Sequence, residues 1–84
     1  RGQAEAQSSV LVSVEVSGQM AVIRTRPGYA SALAAEVDDA RLKGVMGTVA
    51  GDDTVLVILR DDMRKEVFMA ALATVVPEAS QKLI

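Results

Sequence analysis

Val45-Met46-Gly47-Thr48-Val49-Ala50-Gly51-Asp52-Asp53-Thr54-Val55-Leu56-Val57-Ile58-Leu59-Arg60 is the stretch that decides the fold. It holds two β-prone runs, 45–50 and 54–60, joined by Gly51-Asp52-Asp53. Glycine and aspartate are turn residues, and a connection this short specifies a hairpin. The apolar run 55–59 has no polar face. The pattern predicts a central strand covered on both sides.

Working outward, Val10, Val12, Val14 and Val16 alternate with Leu11, Ser13 and Glu15, a period of two that marks a strand over 10–16. Ser17-Gly18-Gln19 turns the chain into a second strand over 20–25. Pro27-Gly28 ends that strand, and Pro is accepted in the first turn of a helix. A helix over 28–41 follows, with Tyr29, Leu33, Val37 and Ala40 on one stripe widened by Ala30 and Ala34. Gly44 is the expected C-terminal cap. Beyond the hairpin, Asp61 and Asp62 are expected to cap a second helix over 63–75, which Pro77 stops. Its apolar residues spread around most of the wheel, so one face covers the sheet and the rest calls for a further partner.

The order is ββαββα: an α/β (α+β) two-layer sandwich, with a four-stranded, mainly antiparallel sheet and both helices on one face. The other sheet face is left for another subunit. Residues 1–8 read as a linker remnant or frayed terminus, 9–76 as one domain and 77–84 as a C-terminal tail. Beginning at Arg1 rather than Met, the sequence reads as a piece of a longer protein.

Composition narrows the function. The 84 residues contain no Cys, His or Trp, which excludes a disulfide framework, a Cys/His zinc site and His-based catalytic pairs. Nine basic residues against eleven acidic ones, and only Tyr29 and Phe68 as aromatics, argue against a nucleic-acid grip by this segment alone. No apolar run approaches the ~20 residues of a membrane span, and Arg1 to Ala6 contains no signal core. No glycine-rich phosphate loop followed by Lys is present, and nothing in the pattern points to an enzyme. A chain half apolar by composition, small and without staples, suggests self-association.

Three features could carry chemistry. Asp52 and Asp53 place adjacent carboxylates at a hairpin tip beside Gly51, a position that lets the backbone approach a ligand. Asp is also an ordinary turn residue. As a site, the pair would take a guanidinium, whose planar fork matches a carboxylate, or a hard metal ion such as calcium or magnesium. On the first helix, Ser31, Ala35 and Asp38 fall on one line, a hydroxyl and a carboxylate flanking a gap; the same pattern also describes a solvated helix edge. Arg24 and Arg26, ahead of the helix, are anion ligands or salt-bridge partners. The four Met residues (Met20, Met46, Met63 and Met69) read as adaptable apolar filler, and Asp39 as surface charge.

These segments resemble the C-terminal domain of the bacterial arginine repressor. Gly47-Thr48-Val49-Ala50-Gly51-Asp52-Asp53-Thr54 looks like that family's GT(I/V)xGDDT signature. Thr25-Arg26-Pro27-Gly28-Tyr29-Ala30 looks like its T-x-P-G-x-A helix start, and Asp38 matches its helix aspartate. The resemblance runs over roughly residues 10–76. It implies trimers, and hexamers made of two stacked trimers, with L-arginine held between them as corepressor. It implies DNA binding through a separate N-terminal winged helix-turn-helix domain, in a cytoplasmic bacterial regulator of arginine metabolism with no metal. By the same resemblance, Asp52 grips the guanidinium from the opposite trimer, and Asp53, Ala50 and Thr48 line the pocket. Asp38 binds the α-amino group with help from the backbone around Ala30. Many members carry Gln or His where this chain has Ser31, so a bridging water would fill the gap before the ligand's polar end. Tyr29 is a second departure, at a position where small residues are common. Two other readings stay open: a ligand-free oligomerisation module, and a divalent-metal domain built on Asp52 and Asp53.

Overall fold

The computed structural model describes residues 10–84; the expected linker 1–8 lies outside the described residues. Four strands form one sheet: β1 (Leu11–Ser17), β2 (Met20–Thr25), β3 (Val45–Ala50) and β4 (Thr54–Leu59). Helix α1 (Ala30–Ala40) connects β2 to β3, and α2 (Lys65–Ala73) follows β4. The element order is the ββαββα expected from the sequence. The strands lie in the order β1-β2-β4-β3, all neighbours antiparallel. The apolar strand β4 is therefore interior and β3 is an edge.

Alternation along the strands sorts the side chains between two faces. Leu11, Val14, Ala21, Ile23, Val55, Val57 and Leu59 point inward and are buried. They meet Ala30, Leu33, Ala34 and Val37 of α1 and Phe68, Met69 and Leu72 of α2 in one core. Fully burying a side chain of this size contributes about 1.5–3 kcal/mol.

The outer face differs from the expectation for β4. Its inward residues are covered, but Leu56 and Ile58 are only half-buried. The register puts Leu56 between Val49 and Val22, and Ile58 between Gly47 and Met20. Val49 is 65% exposed and Met20 47%. Both helices lie on the inner side, so among the described residues nothing covers an apolar patch across β2, β4 and β3.

The helix boundaries are corrected in three places. Pro27 and Gly28 are not helical. They form the centre of a turn closed by the Tyr29 N–H donating to the Arg26 carbonyl at 3.2 Å, with Gly28 at φ +88°. Pro followed by a positive-φ Gly is the type II arrangement. Helix α1 stops where expected but is capped not by Gly44 but by Arg41, which takes the left-handed conformation (φ 50°) and donates its N–H to the Asp38 carbonyl. Asp61 and Asp62 do not cap α2. They sit in a turn before it, and the N-cap position belongs to Arg64, which is extended and makes no side-chain cap.

Pro77 begins a 3-10 helix, Pro77–Gln81, that buries Ala79. Beyond it the chain pairs with the β1 edge in parallel: Val14 donates to the Lys82 carbonyl and Ile84 to the Val14 carbonyl. Residues 77–84 are thus packed against the domain, because Val76, Ala79 and the two edge hydrogen bonds anchor them.

Gly44 adopts φ +88°, and a Cβ there would run into the Met63 sulfur. Gly44→Ala is expected to cost about 1–3 kcal/mol through backbone strain and overpacking, measured as a lowered urea midpoint at unchanged m-value.

Candidate functional site

Two backbone contacts fasten the β3–β4 turn to the start of α1. The Asp52 carbonyl accepts the N–H of Gly28 at 3.0 Å and that of Ala30 at 3.3 Å. The Asp53 carbonyl accepts the Thr25 N–H at 2.8 Å. Helix N-termini leave donors without intrahelical partners, and α1 has no side-chain cap. A carbonyl from the turn takes that role. The turn itself is closed by the Gly51 N–H donating to the Thr54 carbonyl at 2.8 Å.

Main-chain bonding leaves the two carboxylates free to differ. Asp53 is half-buried, and its Oδ1 accepts the Thr54 hydroxyl at 2.9 Å. Asp52 is exposed. Its backbone is thus immobilised while its carboxylate faces outward, beside the positive end of α1.

The other cluster lies at the opposite end of the same helix. Thr48 pairs with the inward-facing Val57, so its side chain lies on the face that carries α1. Its hydroxyl is 3.0 Å from Oδ1 and 3.1 Å from Oδ2 of Asp38, in the last turn of α1. Ala50 pairs with Val55 and shares that face. A cleft of about 260 Å³ opens here, bounded by Val37, Asp38, Arg41, Val45 and Gly47. A larger depression of about 610 Å³ lies instead on the outer sheet face, at Met20, Met46 and Ile58.

The structure brings Asp38 to Thr48, Asp52 to the backbone at Gly28 and Ala30, and Asp53 to the Thr25 N–H at the end of β2. Ser31 is exposed on the first turn of α1, adjacent to the Asp52 contact. Ala30 is fully buried, and its N–H is engaged by Asp52. Its methyl group therefore serves the core. The eight steps from Ala30 to Asp38 rise about 12 Å along the helix axis, so the two acidic groups stand toward opposite ends of α1. Among the described residues, no group of three or more His, Cys, Asp or Glu side chains converges as a metal site. No helix among them is long and apolar enough to cross a membrane.

Sequence reasoning missed the Thr48–Asp38 hydrogen bond, although it named both residues. The two are ten positions apart on different elements, and the pairing depends on the strand register. It also missed Thr54 as Asp53's partner and Thr25 as the donor that holds the turn. The adjacency of Thr54 to Asp53 was the one available signal.

The family model for the arginine repressor C-terminal domain matches residues 8–74. The chain is 41% identical over 66 residues to the arginine repressor of Bacteroides thetaiotaomicron, which covers 79% of this chain and 42% of that protein. It is 41% identical over 71 residues to the arginine repressor of Parabacteroides distasonis, covering 84% of this chain and 49% of that protein. With the arginine repressor of Alkaliphilus metalliredigens it shares 47% identity over 58 residues, 68% of this chain and 39% of that protein. The chain thus spans less than half the length of these relatives, and it belongs to the arginine repressor C-terminal domain family, a family of transcriptional regulators rather than enzymes.

Because the carbonyl of Asp52 and not its carboxylate holds the turn, Asp52→Asn is expected to change stability by less than about 0.5 kcal/mol, as for exposed side chains in general. Thr54→Val, which strips the hydroxyl from Asp53, is expected to cost about 1–2 kcal/mol. Urea unfolding of the two variants beside the parent checks both.

Proposed function

We propose that this domain binds L-arginine as the corepressor of a bacterial, cytoplasmic repressor of arginine metabolism. Arginine sits where two trimers stack, and its binding drives hexamer assembly. The DNA is read by an N-terminal winged helix-turn-helix domain of the full-length protein. Asp52 takes the guanidinium, and Asp53, Ala50 and Thr48 line the pocket. Asp38 takes the α-ammonium. Ser31 approaches the ligand's polar end through water, and Ala30 contributes only through the turn it holds.

The observation that carries this reading is the fastening of the Gly51-Asp52-Asp53 turn to the start of α1, which presents an exposed carboxylate on a fixed backbone. Guanidinium recognition is geometric: two parallel N–H···O bonds need a carboxylate whose orientation is already set. The second acidic group, at Asp38, stands toward the other end of α1, where an extended ligand held by Asp52 would place its α-ammonium. In this reading, as the resemblance implies, the two ends are gripped by different chains. The open apolar patch at Met20, Val22, Val49, Leu56 and Ile58 supports self-association, since a patch of this kind on a small domain calls for a covering partner.

Charge then explains the switch. Stacking brings Asp52 carboxylates of different chains toward one another, and like charges oppose the contact. Arginine supplies the opposing charge and bridges the chains. A ligand that binds only the assembled state stabilises it by mass action, by about 2.7 kcal/mol at one hundred times its dissociation constant. Presenting several reading heads at once raises operator affinity through multivalency.

Light scattering after size exclusion tests this at low micromolar protein. L-arginine is expected to shift the parent from trimer to hexamer, while lysine does not and Asp52→Asn does not respond. An Asp52→Asn variant that binds arginine as well as the parent would refute the guanidinium role. Assembly indifferent to arginine, with no binding heat, would favour a ligand-free oligomerisation module. A greater thermal shift with calcium or magnesium than with arginine would favour the metal reading.

A further inference from the structure

We infer that the segment 77–84 guards one edge of the sheet: it fills the strand-accepting side of β1 and so keeps a second copy of this chain from pairing there, β1 against β1. Of the two edge strands, β1 is the longer, seven residues against six in β3. An edge strand presents unpaired N–H and C=O groups to any other strand, and proteins blunt such edges with Lys, Pro, a bulge or a covering segment. The sequence Leu11-Val12-Ser13-Val14-Glu15-Val16-Ser17 contains neither Lys nor Pro. Its one register shift lies at the start, between Leu11 and Ser13, and from Ser13 to Ser17 the ladder with β2 is regular. With nothing beside it, the stretch 13–17 would be an open template.

The covering segment sits on the centre of that stretch. The Val14 N–H donates to the Lys82 carbonyl at 3.0 Å, and the Val14 carbonyl accepts the Ile84 N–H at 2.8 Å. In an antiparallel ladder successive residues turn these groups alternately toward and away from the partner strand, so Val16 turns its own pair to the same side as Val14. Val76 and Ala79 are buried and anchor the segment, whereas Leu83 and Ile84 are exposed. The last residues therefore serve the strand edge and not the core. They also lie beyond residue 74, where the family match ends.

Hydrogen bonding favours the segment over a second copy. Two β1 edges laid antiparallel through Val14 and Val16 would exchange about four bonds. Two copies of the segment already supply as many, two on each chain. They do so within the chain, without the loss of freedom that association costs. With the segment seated, β1–β1 pairing gains no bond; with it gone, the same pairing gains all of them. The register that uses both valines also sets the Glu15 carboxylates of the two copies opposite each other. Glu15 is exposed, and like charges directly opposite oppose pairing, so it acts as a second brake.

Light scattering after size exclusion tests this on the full chain, the chain lacking residues 82–84, Glu15→Thr, and the two changes combined. Residues 82–84 bury no core side chain, so the deletion is expected to keep the fold, which thermal unfolding checks. None of the runs contains arginine, so the outcome is independent of the corepressor reading. The full chain and its Glu15→Thr form are expected to have equal mass. The combined variant is expected to reach about twice that mass or more, since a two-fold β1–β1 contact joins two parent assemblies. The deletion alone is expected to do so only at higher protein concentration. A folded combined variant no heavier than the parent overturns the inference. So does a full-length Glu15→Thr chain as heavy as the combined variant, because the segment would then guard nothing. Hydrogen exchange on the full chain decides without any variant: the Val14 amide is expected to exchange about tenfold or more slowly than the Val16 amide, and equal rates would show that the segment does not hold the edge.

Discussion

The backbone carbonyl of Asp52, shared by the N–H groups of Gly28 and Ala30, is the contact on which the site depends. It satisfies donors at the start of α1 that no side chain caps. It also fixes the hairpin turn at a distance of one hydrogen bond from the β2–α1 junction, with the Asp53–Thr25 bond alongside. Two segments separated by the whole of α1 and β3 thereby become one structural unit. Because the bonds are made by the main chain, the aspartate side chains are released for other work. Gly28 belongs to this constraint, since its φ of +88° turns its N–H toward Asp52.

The same economy runs through the rest of the domain. One sheet face is covered by both helices and filled by Phe68, Leu72, Val37 and the inward strand residues. The other is apolar and, among the described residues, uncovered. A larger domain would cover both faces from its own sequence. At this size the described elements supply two layers only, one sheet and one pair of helices, and the outer apolar face is where the proposed self-association would be made. In that frame Asp38 and Asp52 are held apart by the length of α1, and each is supported from β3 or its turn.

Much of the fold was legible because it depends on periodicity. Alternating valines located β1, the turn residues located both hairpins, and the apolar run of β4 marked an interior strand. What periodicity cannot carry is context. The double coverage expected of β4 was overturned because Leu56 and Ile58 face outward on a sheet with helices on one side only. The capping roles assigned to Gly44, Asp61 and Asp62 followed composition, whereas the chain ends α1 at a left-handed Arg41 and begins α2 after an extended Arg64. The candidate residues were legible through their motifs. Their partners were not, since the Thr48–Asp38 contact follows from strand register and helix phase together.

The central claim is that arginine is held by two acidic groups belonging to different chains of one assembly. A crystal structure of the chain grown with L-arginine tests it most directly. The account predicts the guanidinium paired with the Asp52 carboxylate of one protomer and the α-ammonium on Asp38 of another. Arginine bound at both ends by a single protomer, or bound away from the Gly51-Asp52-Asp53 turn, would contradict it.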